Sequence, residues 1–515
     1  MKFPIGIQTF EEIITGGYVY VDKTDLVYKL VDEGKYYFLS RPRRFGKSLL
    51  TTTLESYFLG RRDLFKGLAI DSLETEWIEY PVFHLDFTGN SYTGEEDVKS
   101  VINKFLARKE KIYGRDENET SLGLRFQGVI ERAVEKTGRK VVVLVDEYDK
   151  ALTDTIGNET LQDSIRNILQ GLYSVFKKSD QYIKFTFLTG VTRYGKLGIF
   201  SAANNLQDIS SNKKYASICG ISENELHTFF DDEIKDFAEE ENVSVDEMYG
   251  MLKKKYDGYH FSEKSVDIYN PFSLLNALNE KQLRNYWFAT GTPTYLVKIL
   301  KKNEPDLSKL ENGISATLEN IATFGNGEEN IVAALYQSGY LTIKDFNGKF
   351  YRLGFPNEEV QDGFIQCLLA EYSGRGGLLD NDLQDLYEKI NNDDVEGILL
   401  QIKHIIGQIP FENNEPNMME IHFRNMLYLM IRFTGNNVFV EYPVLGGRID
   451  VFFETNKYAY IIECKRDESA EVALAQIDEK RYTKKISAPG KSVVKIGANF
   501  STTEKNLTEW KVENS

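Results

Sequence analysis

Two groups of residues in this sequence have types and spacings suited to chemistry on phosphate. The first is Gly46, Lys47 and Ser48, which end a loop inside residues 36–50, YYFLSRPRRFGKSLL. Such a loop holds phosphate when a strand aims it, its N–H groups face the oxygens and a helix begins beneath them. Residues 36–39 can be the strand, and Leu49 and Leu50 can open the helix. In that frame Lys47 reaches the β- and γ-phosphates and Ser48 ligates Mg2+. The full pattern GxxxxGK[ST] asks for glycine at 41, and here Arg41 stands there, followed by Pro42, Arg43, Arg44 and Phe45. Glycine is usual because it accepts backbone angles that a Cβ resists. The loop must therefore take another path, part of it preset by Pro42. A bare GKS is also found in basic turns before helices, so the reading needs a second half.

Residues 141–145, VVVLV, supply it. A continuous run of β-branched apolar residues is the mark of a strand buried on both faces of a parallel sheet. The run ends in Asp146 and Glu147. At the carboxyl end of such a strand, Asp146 suits a contact with Mg2+, and Glu147 suits a general base that polarises the attacking water. The alternative is a pair of carboxylates in a solvated turn.

The second group is Asp450, Glu463 and Lys465. Residues 441–465 read as a hairpin whose strands carry charge inside apolar runs. Period-two geometry sets Glu463 and Lys465 on one face and Ile462 and Cys464 on the other. Two carboxylates and a lysine converging on one point can hold Mg2+, activate water and steady the charge that builds on a phosphodiester. A helix over 419–433 can bring Glu420 to that metal. A helix over 470–482 presents Gln476, followed by Lys480, Arg481, Lys484 and Lys485, which suit a nucleic-acid backbone. The plainer alternative is an edge hairpin with a surface Glu and Lys.

Strands and helices alternate through residues 1–220, which predicts a parallel sheet covered on both faces. Helices are expected over 49–59, 95–111, 124–136 and 160–177, and strands over 81–87 and 182–188, with a last strand over 215–218. The 182–188 strand ends in TGVTR, where Thr189 or Thr192 can sense the γ-phosphate, and Arg193 or Lys196 can offer a positive charge, in cis or from a neighbouring copy in a homo-oligomer. Asp22 or Thr24 reads as a helix N-cap, and Ser222 with Glu225 as a capping box. Helices dominate 221–355, which closes on a hairpin around Phe346, Asn347 and Gly348. YDGYHF at 256–261 reads as local core, and 385–406 as a helical run. The domains expected are 1–220, 221–355 and 356–515.

With 515 residues the chain has room for two or three cores. Its 42% hydrophobic and 27% charged content is that of a soluble globular protein. No apolar run approaches membrane-spanning length, and MKFPIGIQTFEE lacks the regions of a signal peptide, so a cytoplasmic protein with no membrane partner is expected. Cys219, Cys367 and Cys464 are scattered singly, which fits a reducing compartment. A net charge of -16 argues against indiscriminate coating of nucleic acid. Residues 403–515, however, hold 15 basic and 15 acidic side chains, so the acidity lies earlier and the last part is the better nucleic-acid candidate.

YVDKT, RPRRFGKSLL, VDEYD, LTGVTR, YDGY and YNPFSLLNAL together resemble the bacterial AAA-ATPase-like family. GGRIDVFFE, YIIECK and ALAQIDEKRY resemble the PD-(D/E)XK nuclease superfamily domain that accompanies it. The resemblance implies an α/β protein: an N-terminal P-loop NTPase sheet, a helical and winged-helix-like middle, and a C-terminal restriction-endonuclease-like domain. It also makes Arg41 a family mark. It implies ATP and Mg2+ binding by Gly46, Lys47, Ser48 and Asp146, with Glu147 as base; the rest of the 41–48 loop and Thr189 are expected beside the nucleotide. At the second site it implies Mg2+ or Mn2+ on Asp450 and Glu463 with Lys465 as partner, and Glu420 and Gln476 as supporting positions. The function expected is ATP hydrolysis coupled to metal-dependent cleavage of nucleic acid, DNA foremost. Two alternatives stay open: an ATP-dependent switch or scaffold whose nuclease-like domain binds DNA or protein without cleaving, and a remodelling ATPase indifferent to DNA.

Overall fold

The run Val141–Asp146 is buried at all six positions, as a β-branched segment with no polar face requires. It is β3 of a five-stranded parallel sheet. The others are β1 (Tyr36–Ser40), β2 (Val82–Asp86), β4 (Ile183–Gly190) and β5 (Gln207–Asp208), in the order β2-β3-β4-β1-β5. In the computed structural model of the protein the described residues are 1–194, 206–289, 296, 299, 300, 307, 309, 310, 313–322, 330–373, 379–409, 416–486, 488 and 490–514. For 289, 372, 373, 379 and 416–420 the backbone alone is described. The chain forms two compact units, one from Met1–Gly291 with Ile314–Val360 and one from Thr292–Gly313 with Gln361–Ser515.

In the first unit, β4 lies between β3 and β1, with Val145 opposite Leu188 and Leu39 opposite Thr189. The carboxyl ends of three strands therefore stand side by side, where an open parallel sheet presents its ligands. Helices Lys47–Phe58, Glu95–Tyr113, Leu122–Thr137 and Glu159–Tyr173 run between the strands. The last of these stops short of the expected 177, and Ser174 begins a separate turn, Val175–Lys178. The edge strand is β5 rather than residues 215–218. Tyr215 instead ends a 3-10 turn, Lys213–Tyr215, and the carbonyls of Tyr215 and Ala216 accept hydrogen bonds from the Arg41 guanidinium. A strand there would need those carbonyls for its ladder.

Asp22 closes the chain onto helix Thr24–Glu33, accepting from Thr24 N at 2.8 Å and from Ala69 N at 2.7 Å. The short pair β6 (Ile221–Ser222) and β7 (Ile268–Tyr269) joins helices Glu223–Glu240, Val245–Tyr256 and Pro271–Glu280. The Ser222 and Glu225 capping box is formed, and Glu225 also takes the Lys23 ammonium at 2.5 Å. These helices bury one apolar face each around Phe230, Ile234, Phe237, Met248 and Leu252. Strands β8 (Ile314–Ala316), β9 (Thr342–Phe346) and β10 (Tyr351–Gly354) form an antiparallel sheet beside helix Ile331–Ser338. Its hairpin is the expected one, with Asn347 Oδ1 accepting from Lys349 N and Phe350 N.

The second unit carries β11 (Val438–Val444), β12 (Gly447–Glu454), β13 (Tyr458–Arg466), β14 (Ser492–Ser501) and β15 (Asn506–Asn514) in sequence order. Residues 441–465 are therefore three strands of a meander rather than one hairpin, because the Leu445 and Gly446 turn separates Glu441 from the strand of Asp450. Strands β13 and β14 are parallel, so the chain needs a crossover. Helix Ala470–Glu479 provides it and ends before the expected 482. It lies so close to β14 that a Cβ on Gly497 would fall 2.2 Å from Ala470 O. The helical run over 385–406 is two helices, Leu379–Asn391 and Val395–Ile406, parted where Asp393 takes a φ of 54° and Asp394 caps the second. Among the described residues no helix is long and apolar enough to cross a membrane.

Candidate active sites

The loop after β1 is built without the usual first glycine, and Arg41 shows how. Its side chain is buried, and Nη1 donates to Ser40 O at 3.0 Å and Ser210 O at 2.6 Å. Nη2 donates to Tyr215 O at 3.2 Å and Ala216 O at 3.4 Å, and the guanidinium lies 4.0 Å from the Phe261 ring centre. Arg41 therefore fastens the loop to the protein instead of facing a nucleotide. The left-handed positions are Arg44, at φ 69°, and Gly46, at φ 87° with open space where a Cβ would be. Phe45 packs edge-on against Tyr259 at 4.7 Å and Phe261 at 5.4 Å. The YDGYHF segment is core, as expected, and the core it makes is the seat of this loop. Arg44 lies over Phe272 at 4.7 Å, Pro42 abuts Gly339, and Arg43 O accepts from Trp287 Nε1 at 3.2 Å. Neither Trp287 nor Gly339 carries a local signal of this role.

Helix Lys47–Phe58 starts at Gly46 with no side-chain cap, which leaves its first N–H groups facing the loop. Ser48 is in that first turn, half-buried. The Lys47 ammonium is buried and donates to Arg41 O at 3.0 Å and Pro42 O at 3.1 Å. Burial lowers its pKa, while Glu147, Asp146 and Asp149 pull it back up. Asp146 is buried and accepts from Thr189 Oγ1 and from Glu147 N. Glu147, at φ 49°, makes no side-chain hydrogen bond among the described residues. Its pKa is raised, by burial first, with Lys47 opposing and Asp149 and Asp146 adding. A raised pKa suits a carboxylate to proton transfer near neutral pH.

The last two residues of VDEYD have a part that sequence reasoning did not single out. Asp149 accepts from Val191 N at 3.2 Å, Thr192 N at 2.6 Å and Thr192 Oγ1 at 2.5 Å. Tyr148 OH donates to Thr192 O at 2.9 Å and accepts from Tyr194 N at 3.1 Å. Together they pin the TGVTR segment, which explains Gly190: a Cβ there would meet Asp149 Oδ1 at 2.5 Å. Thr192 is thereby committed to Asp149, whereas Thr189 points to Asp146. Arg193 pairs with Asp208 at 3.1 Å, and its N–H donates to Gln337 Oε1 at 2.9 Å. Lys196 lies outside the described residues. Beside Gly46 lies a cavity of about 100 Å3, walled by Tyr20, Val21, Leu49, Cys219 and Leu275.

In the second unit, β12 and β13 bring Asp450, Glu463 and Lys465 together. Asp450 Oδ2 accepts from Cys464 N at 2.7 Å. Lys465 Nζ lies 3.9 Å from Glu463 Oε1 and donates to Gln476 Oε1 at 2.5 Å, while Gln476 Nε2 donates to Glu463 Oε1. Gln476 thus bridges the acid and the lysine from the crossover helix. Glu463 is buried, and its Oε2 has no hydrogen-bond partner. Burial raises the pKa of both acids, Glu441 adding at Asp450 and Asp450 at Glu463, with Lys465 opposing in each. A buried, partnerless carboxylate oxygen beside a second carboxylate fits a divalent cation, which would remove the conflict. Among the described residues no third acid, His or Cys completes a cluster. Glu420 is on helix Pro416–Phe433, and its side chain lies outside the described residues. The same helix contributes Arg424, which sequence reasoning missed: it pairs with Glu441 at 2.5 Å and lines, with Asp450, Lys465 and Arg466, a cavity of about 240 Å3.

Residues 4–200 match the family model described as a predicted AAA-ATPase, AAA-ATPase-like, and residues 418–510 match the PD-(D/E)XK nuclease superfamily. A protein of Azotobacter chroococcum mcd 1, described as an uncharacterized protein in the vnfD 5′ region, is 34% identical over 523 residues, covering 99% of each chain.

Proposed function

The chain belongs to the family that joins a predicted AAA-ATPase-like domain to a PD-(D/E)XK nuclease superfamily domain, and on that premise we propose that it hydrolyses ATP and cleaves the phosphodiester backbone of DNA. Lys47 neutralises the β- and γ-phosphates, Ser48 and Asp146 hold Mg2+, Thr189 orients Asp146, and Glu147 accepts the proton of the attacking water. At the second site Asp450 and Glu463 hold the cation, Lys465 sits where negative charge grows on the phosphate, and Gln476 positions both. A bound Mg2+ or Mn2+ supplies Lewis acidity there. The observation that carries the nuclease half is the partnerless buried oxygen of Glu463 beside Asp450 and the Lys465–Gln476 bridge.

A second reading also has support. The middle of the first unit grips the loop through Trp287 and the sensor strand through Gln337. A nucleotide that moves the loop would move these elements, which suits a switch that binds DNA without cutting it. Cleavage of labelled single- and double-stranded DNA with Mg2+ or Mn2+, with and without ATP, separates the two. Scission that is lost in Asp450→Ala, with ATP turnover kept and then lost in Lys47→Ala, is the expected result. Binding with no scission under any condition would replace the nuclease by the switch.

A further inference from the structure

The turn between β11 and β12 consists of Leu445 and Gly446, with Val444 paired to Gly447. Leu445 is 88% exposed, more than any other large apolar side chain among the described residues. Lone apolar residues on a surface are common, but hairpin tips favour small and polar residues, and this tip is also firmly braced. Tyr482, itself buried, donates from its OH to Arg448 O at 2.7 Å and lies so close that a Cβ on Gly447 would meet that oxygen at 2.9 Å. The bracing segment brings cations with it. Lys485 Nζ would be 3.5 Å from a Cβ on Gly446, and Lys480, Arg481 and Lys484 are exposed on the same segment, while Arg448, 69% exposed at its side chain, pairs with Glu441 at 3.5 Å. Among the described residues none of Lys480, Arg481, Lys484 and Lys485 is in an ion pair.

We infer that Leu445 is a wedge that enters double-stranded DNA between two base pairs while the surrounding cations hold the phosphates. Apolar side chains on rigid protrusions unstack duplex steps in this way, and basic neighbours offset the cost through backbone contacts. The inference rests on the nucleic-acid reading of this domain and adds its substrate form, a locally opened duplex. The cavity beside Asp450, about 240 Å3, has Phe423 and Phe500 stacked at 4.5 Å in its wall. Leu445 and Asp450 lie along one hairpin, five positions apart, or at most about 17 Å at strand rise. That is about five base steps or fewer, so cutting is expected within that distance of the opened step.

The test uses the full-length chain in EDTA and duplexes carrying 2-aminopurine at successive positions, read at saturating protein so that affinity does not enter. Fluorescence should rise about threefold or more at one step with the native chain and with Leu445→Met, and lose at least about four-fifths of that rise with Leu445→Ala. An equal rise in Leu445→Ala would overturn the wedge. So would a native chain that shifts the anisotropy of the same duplex without opening it, and the nucleic-acid reading would then stand. No anisotropy change at low salt would overturn that reading and the wedge with it.

Discussion

Glu359 is wholly buried, with one oxygen accepting from Trp287 N at 2.7 Å and the other without a partner. Burial pushes its pKa from the ordinary 4.5 up to about 7. Between those values the folded chain holds a proton that the unfolded chain has released, so stability falls as pH rises through this window. The protonated state is mimicked by Glu359→Gln. That variant should match the native chain near pH 4 and exceed it by about 3 kcal/mol near pH 7.5 in urea unfolding; equal stabilities at both pH values would show the acid is not strained. Arg41 makes the opposite case, a buried charge whose two terminal nitrogens both donate to carbonyls. Arg41→Gly restores the common phosphate-loop pattern, yet it strips four carbonyls of their donor, two of them beyond residue 214. It should lower stability by about 3 kcal/mol or more and weaken ATP binding; a variant as stable as the native chain with normal ATP affinity would remove the tether.

At the scale of elements, the phosphate loop is clamped from behind by the hairpin region. Gly339 ends helix Ile331–Ser338 at φ 89°, and a Cβ there would fall 2.6 Å from Pro42 Cβ. Gly339→Ala should therefore shift the loop and lower ATP affinity by about tenfold, although residue 339 has no part in the phosphate site. A titration with a fluorescent ATP analogue measures it, and unchanged affinity would show that the hairpin does not control the loop. The expected elements were found where the signal was complete within a short stretch, as at β3 and the capping box at Ser222. They were wrong where a long-range partner decided, as at 215–218, whose carbonyls go to Arg41.

At the scale of the molecule, the C-terminal unit is discontinuous. Residues Thr292–Gly313 belong to it, with Leu296, Leu300 and Leu307 buried and Leu307 N donating to Asn425 Oδ1 at 3.1 Å. A fragment of residues 361–515 lacks them. It should unfold about 10 °C below the corresponding transition of the full chain, and a peptide of residues 292–313 should recover part of the loss. Calorimetry of fragment, mixture and full chain tests this, and a fragment as stable as the full chain would refute it.

Residue type and spacing mark out the side chains that meet at the ends of β1, β3 and β4, and those on β12 and β13. A buried parallel strand, a glycine before a helix and a period-two charge pattern are local consequences of side-chain type, complete within about ten residues. The tertiary structure alone decided what holds them: Arg41 against carbonyls 169 to 175 positions away, Trp287 on Arg43, Gln337 on Arg193, Arg424 over the acids, and a tip leucine braced by Tyr482. Such pairings depend on which faces pack together after the chain has folded, and hydrogen-bond geometry between distant segments leaves no periodic trace in either one.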